Sequence, residues 1–337
     1  MNELLKIENL SVSIETDMGT VQAVRDVSFE LHPGEVLAIV GESGSGKSIL
    51  CKSIMKLLPK NAKIECGKII ANGEDITNFP ECRMQKLRGK VFSFILQDSM
   101  TVLNPTVCIG KQIAEAVSVH NPKLCKKDLH DRVISLMEMV GIQHPCERYR
   151  LYPHNLSGGM RQRCVMAIAL ASGPRILLAD EPTTSLDVTM QAKILDILRE
   201  MQGKPVMGTV LVSHDLGAVA RVADRVAVMY AGRIVEIGTA EEIYYQSRHP
   251  YTWALMQSLP AFNSGNDELK TIPGIPPDLA NLPKGDAFAS RNEYALEIDY
   301  HEMPPMFRLS ETHFVASWLE DPRAPKTDAP MGGAKNV

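Results

Sequence analysis

Residues 36–58 read VLAIVGESGSGKSILCKSIMKLL, and the middle of that stretch decides the fold. Gly41–Ser48 fits G-x-x-x-x-G-K-[ST], the pattern of a phosphate-binding loop. The apolar run Val36–Val40 before it reads as a buried strand, and Ile49–Leu58 after it reads as a helix ended by Pro59. Strand, glycine loop and helix in that order are the context the pattern requires. Gly41, Gly44 and Gly46 let backbone N–H groups turn inward around phosphate oxygens. The helix N-terminus adds its positive dipole end. Lys47 has the reach for β- and γ-phosphates, and Ser48 has a hydroxyl suited to Mg²⁺. A flexible Gly-Ser loop with a solvated lysine would not need the flanking strand and helix.

The chain has 337 residues, 45% hydrophobic and 23% charged, enough for a large core and two units. Its net charge of −4 gives no sign of a basic surface, so no nucleic-acid partner is expected. No apolar run approaches the length of a membrane span, and the N-terminal MNELLKIENL is too polar for a secretory signal. The seven cysteines are scattered and never spaced C-x-x-C, which reads as reduced thiols in a cytoplasmic protein.

Outward from the loop, Leu4–Ile14 and Gln22–Leu31 read as strands, and Asn72-Gly73 as a turn. Val91–Leu96 is an apolar strand ending at Gln97. Between about 98 and 164 the pattern becomes helical, with Val133, Leu136, Met137 and Val140 at helical spacing and Gly141 as a stop. This reads as a helical subdomain inserted into an α/β core. The core resumes with a helix over Arg163–Ala171 and a strand over Ile176–Ala179. A helix over Met190–Met201 and strands at Thr209–Val212 and Arg225–Met229 follow. Strands alternating with helices predict a mainly parallel sheet covered on both faces. Past about residue 245 prolines multiply, including Ile272-Pro-Gly-Ile-Pro-Pro277. The expected division is therefore a nucleotide-binding domain at 1–245 and a C-terminal extension, irregular in structure, at 246–337.

Two further stretches carry chemistry. In Ile176–Glu181 four apolar residues precede Asp180 and Glu181. Carboxylates at the C-terminal end of a parallel strand lie where α/β sheets bind ligands. Asp180 suits the shell of Mg²⁺, and Glu181 suits polarisation of an attacking water. Ser157-Gly158-Gly159 at a helix start is a second anion site of N–H groups, a hydroxyl and a dipole. One nucleotide does not need two such sites, so the second is expected to serve the nucleotide of another subunit. Alone, each stretch would be an ordinary capping turn.

Taken in order, the loop at 41–48, Gln97, LSGGMRQR at 156–163, ILLADEP at 176–182, Ser185-Leu-Asp187 and His214 resemble the motif series of ATP-binding-cassette ATPases. The resemblance covers about residues 4–245. It implies an α/β fold: a P-loop ATPase core with a mainly parallel sheet, an antiparallel β portion and a helical subdomain. It also implies two ATPase subunits stacked head to tail with two ATP molecules between them. Gly41, Ser43, Gly44, Ser45, Gly46, Lys47 and Ser48 would hold the phosphates of one ATP, and Ser157, Gly158 and Gly159 those of the partner's. Ser48, Gln97 and Asp180 would meet Mg²⁺. Glu181 would be the general base, with His214 on the γ-phosphate and Gln97 near the attacking water. Asp187 would couple the two sites. Ile14 stands where the family usually stacks an aromatic ring on adenine; it keeps apolar contact but loses the π face.

Gln97–Pro105, Ala179–Thr189, His249-Pro-Tyr-Thr252 and Ile272–Pro277 are similar to the oligopeptide, dipeptide and nickel importer branch. That similarity implies an ATPase powering import of peptides, with nickel as the alternative solute. It implies a paralogous ATPase partner in a heterodimer, two integral membrane permease subunits and an extracellular solute-binding protein. The chain would then lie peripherally on the cytoplasmic face of the membrane. A soluble cassette ATPase of DNA repair or translation would commonly show a second cassette or a coiled-coil insertion. A non-hydrolysing ATP-binding module would not need Lys47, Asp180, Glu181 and His214 together. Many members of the branch hold an iron–sulfur cluster on four extension cysteines. Here the matching positions are Asp286, Asn292, Asp299 and Ser317, and no cysteine follows Cys164, so no cluster is expected.

Overall fold

The computed structural model describes residues 3–17, 19–96, 102–184, 188–202, 207–259 and 271–327. In chain order the strands are β1 (Leu5–Thr16), β2 (Gly19–Leu31), β3 (Val36–Val40), β4 (Ala62–Ala71), β5 (Glu74–Asp75) and β6 (Phe92–Ile95). They continue as β7 (Ile176–Asp180), β8 (Gly208–Ser213), β9 (Arg225–Tyr230), β10 (Arg233–Thr239), β11 (Phe307–Arg308) and β12 (Phe314–Val315). The chain forms two compact units: Met1–Leu5, Leu31–Val36 and Asn72–Val212 make the first, and Lys6–Glu30, Leu37–Ala71 and Ser213–Val337 the second.

In the first unit β6, β7 and β8 are parallel neighbours, with Phe92 opposite Ile176 and Ile176 opposite Gly208. β7 and β8 are buried along their whole length, which is why they read as unbroken apolar runs rather than alternating ones. The inserted region is helical: Ile109–His120 and Lys126–Met139 pack against Gly158–Leu170. Their shared core uses Ile113, Val117, Val133, Leu136 and Met137, the side chains at helical spacing.

In the second unit β3 runs parallel to β9, and β9 turns back into antiparallel β10. β12 extends this sheet antiparallel to β10, and β11 pairs with β12. β2, β1 and β4 lie side by side in another sheet. The helix after the phosphate loop is Lys47–Ile54, shorter than the sequence pattern suggested. Lys56 takes a left-handed φ of 51°, and Leu57 N–H donates to Lys52 O at 2.8 Å, closing a Schellman-type end. A lysine in the position usually given to glycine leaves no signal in the sequence. The extension is more regular than expected: it forms the helix Pro250–Gln257, several 3-10 turns, β11 and β12. Phe288 is its buried centre, with Tyr230 and Tyr251 edge-on or tilted at 5.2 and 5.3 Å between ring centroids. Tyr294, Leu296, Phe314 and Trp318 are only half-buried; Tyr294 packs edge-on against Trp253, and Trp318 against Phe307.

Candidate functional site

The loop at 41–48 lies in the second unit, between β3 and the helix Lys47–Ile54. Gly41 (φ 156°) and Gly46 (φ 101°) are forced by contact: a Cβ there would stand 2.1 Å from Met229 O or Ala23 O. Lys47 is 4% exposed. Its ammonium donates to Gly41 O at 2.8 Å, Glu42 O at 2.7 Å and Ser45 Oγ at 3.1 Å. The cation is thus tied within the loop at the helix N-terminus, where a phosphate gains both its charge and the backbone N–H groups. Ser43 and Gly44 are exposed, Ser45 is buried and Ser48 half-buried. The same unit contains Ile14, half-buried on β1, and His214, exposed just after β8. Asp215 caps the short helix Leu216–Val219 by accepting from Ala218 N–H at 3.0 Å. That cap fixes the backbone beside His214.

The first unit holds the other motifs. Asp180 ends β7 and is 3% exposed. Glu181 follows at φ 47°, a left-handed conformation uncommon for a residue with a side chain. Its N–H donates to Val212 O at 3.0 Å, and Thr184 Oγ1 donates to its carboxylate at 2.7 Å. The strand end is pinned while the carboxylate is oriented by a hydroxyl. Ser157 is the N-cap of Gly158–Leu170, its Oγ accepting from Met160 N–H at 3.4 Å. Ser157 and Gly158 are exposed, whereas a Cβ on buried Gly159 would meet Met190 Cε at 2.4 Å. Gln97, Ser185, Leu186 and Asp187 lie outside the described residues. Hydroxyl and carboxylate oxygens, as on Ser48 and Asp180, are the hard donors that Mg²⁺ prefers.

All seven cysteines are free, and burial pushes the Cys164 thiol up to about 12. The four extension positions that cysteines would occupy each accept a backbone N–H instead. Asp286 takes Phe288 N–H at 3.1 Å, Asn292 takes Tyr294 N–H at 2.9 Å, Asp299 takes Leu296 N–H at 2.7 Å and Ser317 takes Leu319 N–H at 3.3 Å. These are side-chain turns that stitch the extension locally.

Residues that carried no expected role at the loop also reach it. His249, Tyr251 and Arg291 belong to the extension, yet Tyr251 and Arg291 bond to Glu42, the loop's second residue. Burial pushes His249 down to about 3, so its neutral ring accepts Tyr251 N–H on Nδ1 at 3.0 Å and caps Pro250–Gln257. The sequence signal was His-Pro-Tyr itself, legible as a likeness to the importer branch but not as a contact with a loop two hundred residues away.

Comparison with known proteins agrees with these motifs. Residues 24–184 match the ABC transporter family, and residues 235–298 match the oligopeptide/dipeptide transporter C-terminal region. The oligopeptide transport ATP-binding protein OppD of Bacillus subtilis is 52% identical over 98% of this chain and 92% of its own length. The dipeptide transport ATP-binding protein DppD of Lactococcus lactis is 53% identical over 96% of this chain and 93% of its own. Among solved structures, cbiO1 of Clostridium perfringens, part of the ABC transporter complex cbiONQ, aligns with a TM-score of 0.63 at 28% identity, covering 73% of this chain and 92% of that one. Among the described residues no helix is long and apolar enough to cross a membrane. With half of its residues shared along nearly the whole length of such relatives, this chain belongs to the ABC transporter family as an ATPase subunit carrying the C-terminal region of the oligopeptide/dipeptide branch.

Proposed function

We propose that this chain hydrolyses ATP to drive import of peptides through a membrane permease. The observation that carries the reading is full-length similarity to peptide-transport ATP-binding subunits, extension included. Lys47 and the N–H groups of 41–48 bind the β- and γ-phosphates, and Ser48, Asp180 and Gln97 meet Mg²⁺ or its waters. Glu181 takes the proton of the attacking water, His214 steadies the γ-phosphate, and Asp187 couples the paired sites. Ile14 gives the base an apolar wall. Ser157, Gly158 and Gly159 complete the ATP site of the opposite subunit, a role that the exposure of Ser157 and Gly158 supports. That subunit is a paralogue. Two permease subunits and an extracellular solute-binding protein complete the transporter, which holds this chain on the cytoplasmic face.

Division at about residue 245 separates the ATPase portion, with its helical subdomain near 98–164, from the extension. The stretch 97–105 and the helical subdomain form the permease-docking surface. Cross-links from this stretch should recover a membrane-embedded partner; cross-links confined to 246–337 would contradict it. The extension carries no iron–sulfur cluster, since it has no thiolate to offer. Stoichiometric iron and sulfide in anaerobically purified protein would contradict that. The solute is tested in proteoliposomes holding the assembled transporter. Hydrolysis stimulated by peptide-loaded binding protein supports the reading, and stimulation by nickel but not peptide overturns it.

A further inference from the structure

Glu42 is held at each of its polar groups. Its N–H donates to the Tyr251 hydroxyl at 2.8 Å. Its carbonyl accepts from Lys47 Nζ at 2.7 Å and Ser45 N–H at 3.2 Å. Its carboxylate receives both ends of the Arg291 guanidinium, at 2.6 Å on Oε2 and 3.0 Å on Oε1. Arg291 is 3% exposed at its side chain, against 26% for Glu42. Its remaining bonds go to Pro273 O at 2.7 Å and the Tyr230 hydroxyl at 3.1 Å. Burial works against the Arg291 charge, but the hydrogen bonds it donates to Glu42 and Tyr230 hold its pKa above the usual guanidinium value. Burial also raises the Tyr251 phenol, which keeps its hydroxyl protonated.

The extension reaches this loop along a second line. Gln22 N–H donates to Leu279 O at 3.3 Å, and Pro276–Leu279 lines an open pocket of about 270 Å³ together with Ser43 and Gly44. Two consequences follow from elementary electrostatics. An uncompensated carboxylate on the second residue of a phosphate loop opposes a polyanion entering that loop, and a partly buried site screens the repulsion poorly. The Glu42 carbonyl also accepts from Lys47 Nζ, so moving Glu42 moves the cation. A guanidinium fork fixes both charge and orientation, which an ammonium cannot do.

We infer that Arg291 of the extension is a positioning residue for ATP: with Tyr251 it locks Glu42, cancels its charge and so sets the phosphate loop and Lys47 for the nucleotide. The inference rests on reading 41–48 as the phosphate site. The extension is then part of the ATPase's own nucleotide machinery.

The test measures ATP affinity of the full-length chain by calorimetry, and KM and kcat in the assembled transporter. Arg291→Gln should weaken ATP binding and raise KM at least about tenfold, with a far smaller change in kcat. A purely structural loss would instead lower the active fraction, seen as apparent kcat with KM unchanged. Glu42→Gln combined with Arg291→Gln should recover most of the lost affinity, because the stranded carboxylate is gone. Tyr251→Phe keeps the ring, deletes one hydroxyl and should weaken binding about threefold. Should Arg291→Gln fail to fold, Arg291→Lys, which keeps the charge but loses the fork, is expected to raise KM by an intermediate factor. Unchanged KM in folded Arg291→Gln or Arg291→Lys, or a double variant as weak as the single, overturns the inference. Lys47→Ala is the control: if it too binds ATP normally, the reading of the loop has failed, not only that of the clamp.

Discussion

Two glycine-rich turns, each opening a helix, sit in opposite circumstances. The phosphate loop at 41–48 ends on Gly46, a left-handed N-cap with no side-chain cap, and its Lys47 is buried among the loop's own oxygens. The turn at 157–159 is capped by its own serine, and Ser157 and Gly158 face outward. The first is walled and tied by its own chain: Gly232 N–H donates to Ser45 O at 3.0 Å, and Arg291 and Tyr251 hold Glu42. The second leaves Ser157 and Gly158 exposed among the described residues, with only Gly159 packed, against Met190. Similar local chemistry can therefore make a complete site or half of one. What separates them is burial, not motif.

Substitutions put this contrast to the test. The largest effect is expected at neither turn but at the chemical step itself. Glu181→Gln should lower steady-state hydrolysis at least tenfold, within the roughly 10²–10⁴ range of a general base, while ATP binding persists. Near-normal turnover in the assembled transporter would remove Glu181 from that role. Next, Ser157→Ala should reduce turnover of the assembled pair several-fold by impairing closure on the partner's nucleotide. Because alanine also costs the helix its cap, about 1 kcal/mol, Ser157→Asn, which keeps a cap acceptor, separates the two effects. Equal recovery of turnover by asparagine would mean that the cap alone matters.

A smaller effect is expected in the extension. Burial raises the Asp286 carboxyl to about 6, against the Phe288 N–H that favours its charge, and nearby Asp299 adds to the rise. A carboxyl raised above its unfolded value binds more protons when folded, so stability declines as pH rises from about 4 to 6 and is level above that. Asp286→Asn keeps an acceptor for Phe288 N–H and removes the charge. It should stabilise the protein by on the order of 2 kcal/mol at pH 7.5 and flatten the slope below pH 6. A thermal melt whose pH dependence is unaltered by the substitution would contradict this.

Much of the α/β core was legible because buried parallel strands must be unbroken apolar runs, as in Val36–Val40 and Ile176–Ala179. The positions of Asp180 and Glu181 at a strand end followed from the same runs. The left-handed φ of Glu181 did not, because nothing in an Asp-Glu-Pro stretch announces it. The stop at Lys56 escaped for a similar reason. The extension hid its order in side-chain turns: Asp286, Asn292, Asp299 and Ser317 look like loop composition until each is seen to accept a backbone N–H. Least legible was the pairing of Glu42 with Arg291 across 249 residues, since a lone arginine carries no periodicity and no motif.

The contrast between the two turns is tested most directly by titrating ATP into the isolated full-length chain and two variants. Lys47→Ala should lose at least about tenfold in affinity, because the phosphates lose their buried cation. Ser157→Ala should match the wild-type chain within about twofold, since its turn serves a nucleotide that this chain does not hold. Equal losses in both variants, or none in Lys47→Ala, would contradict the account.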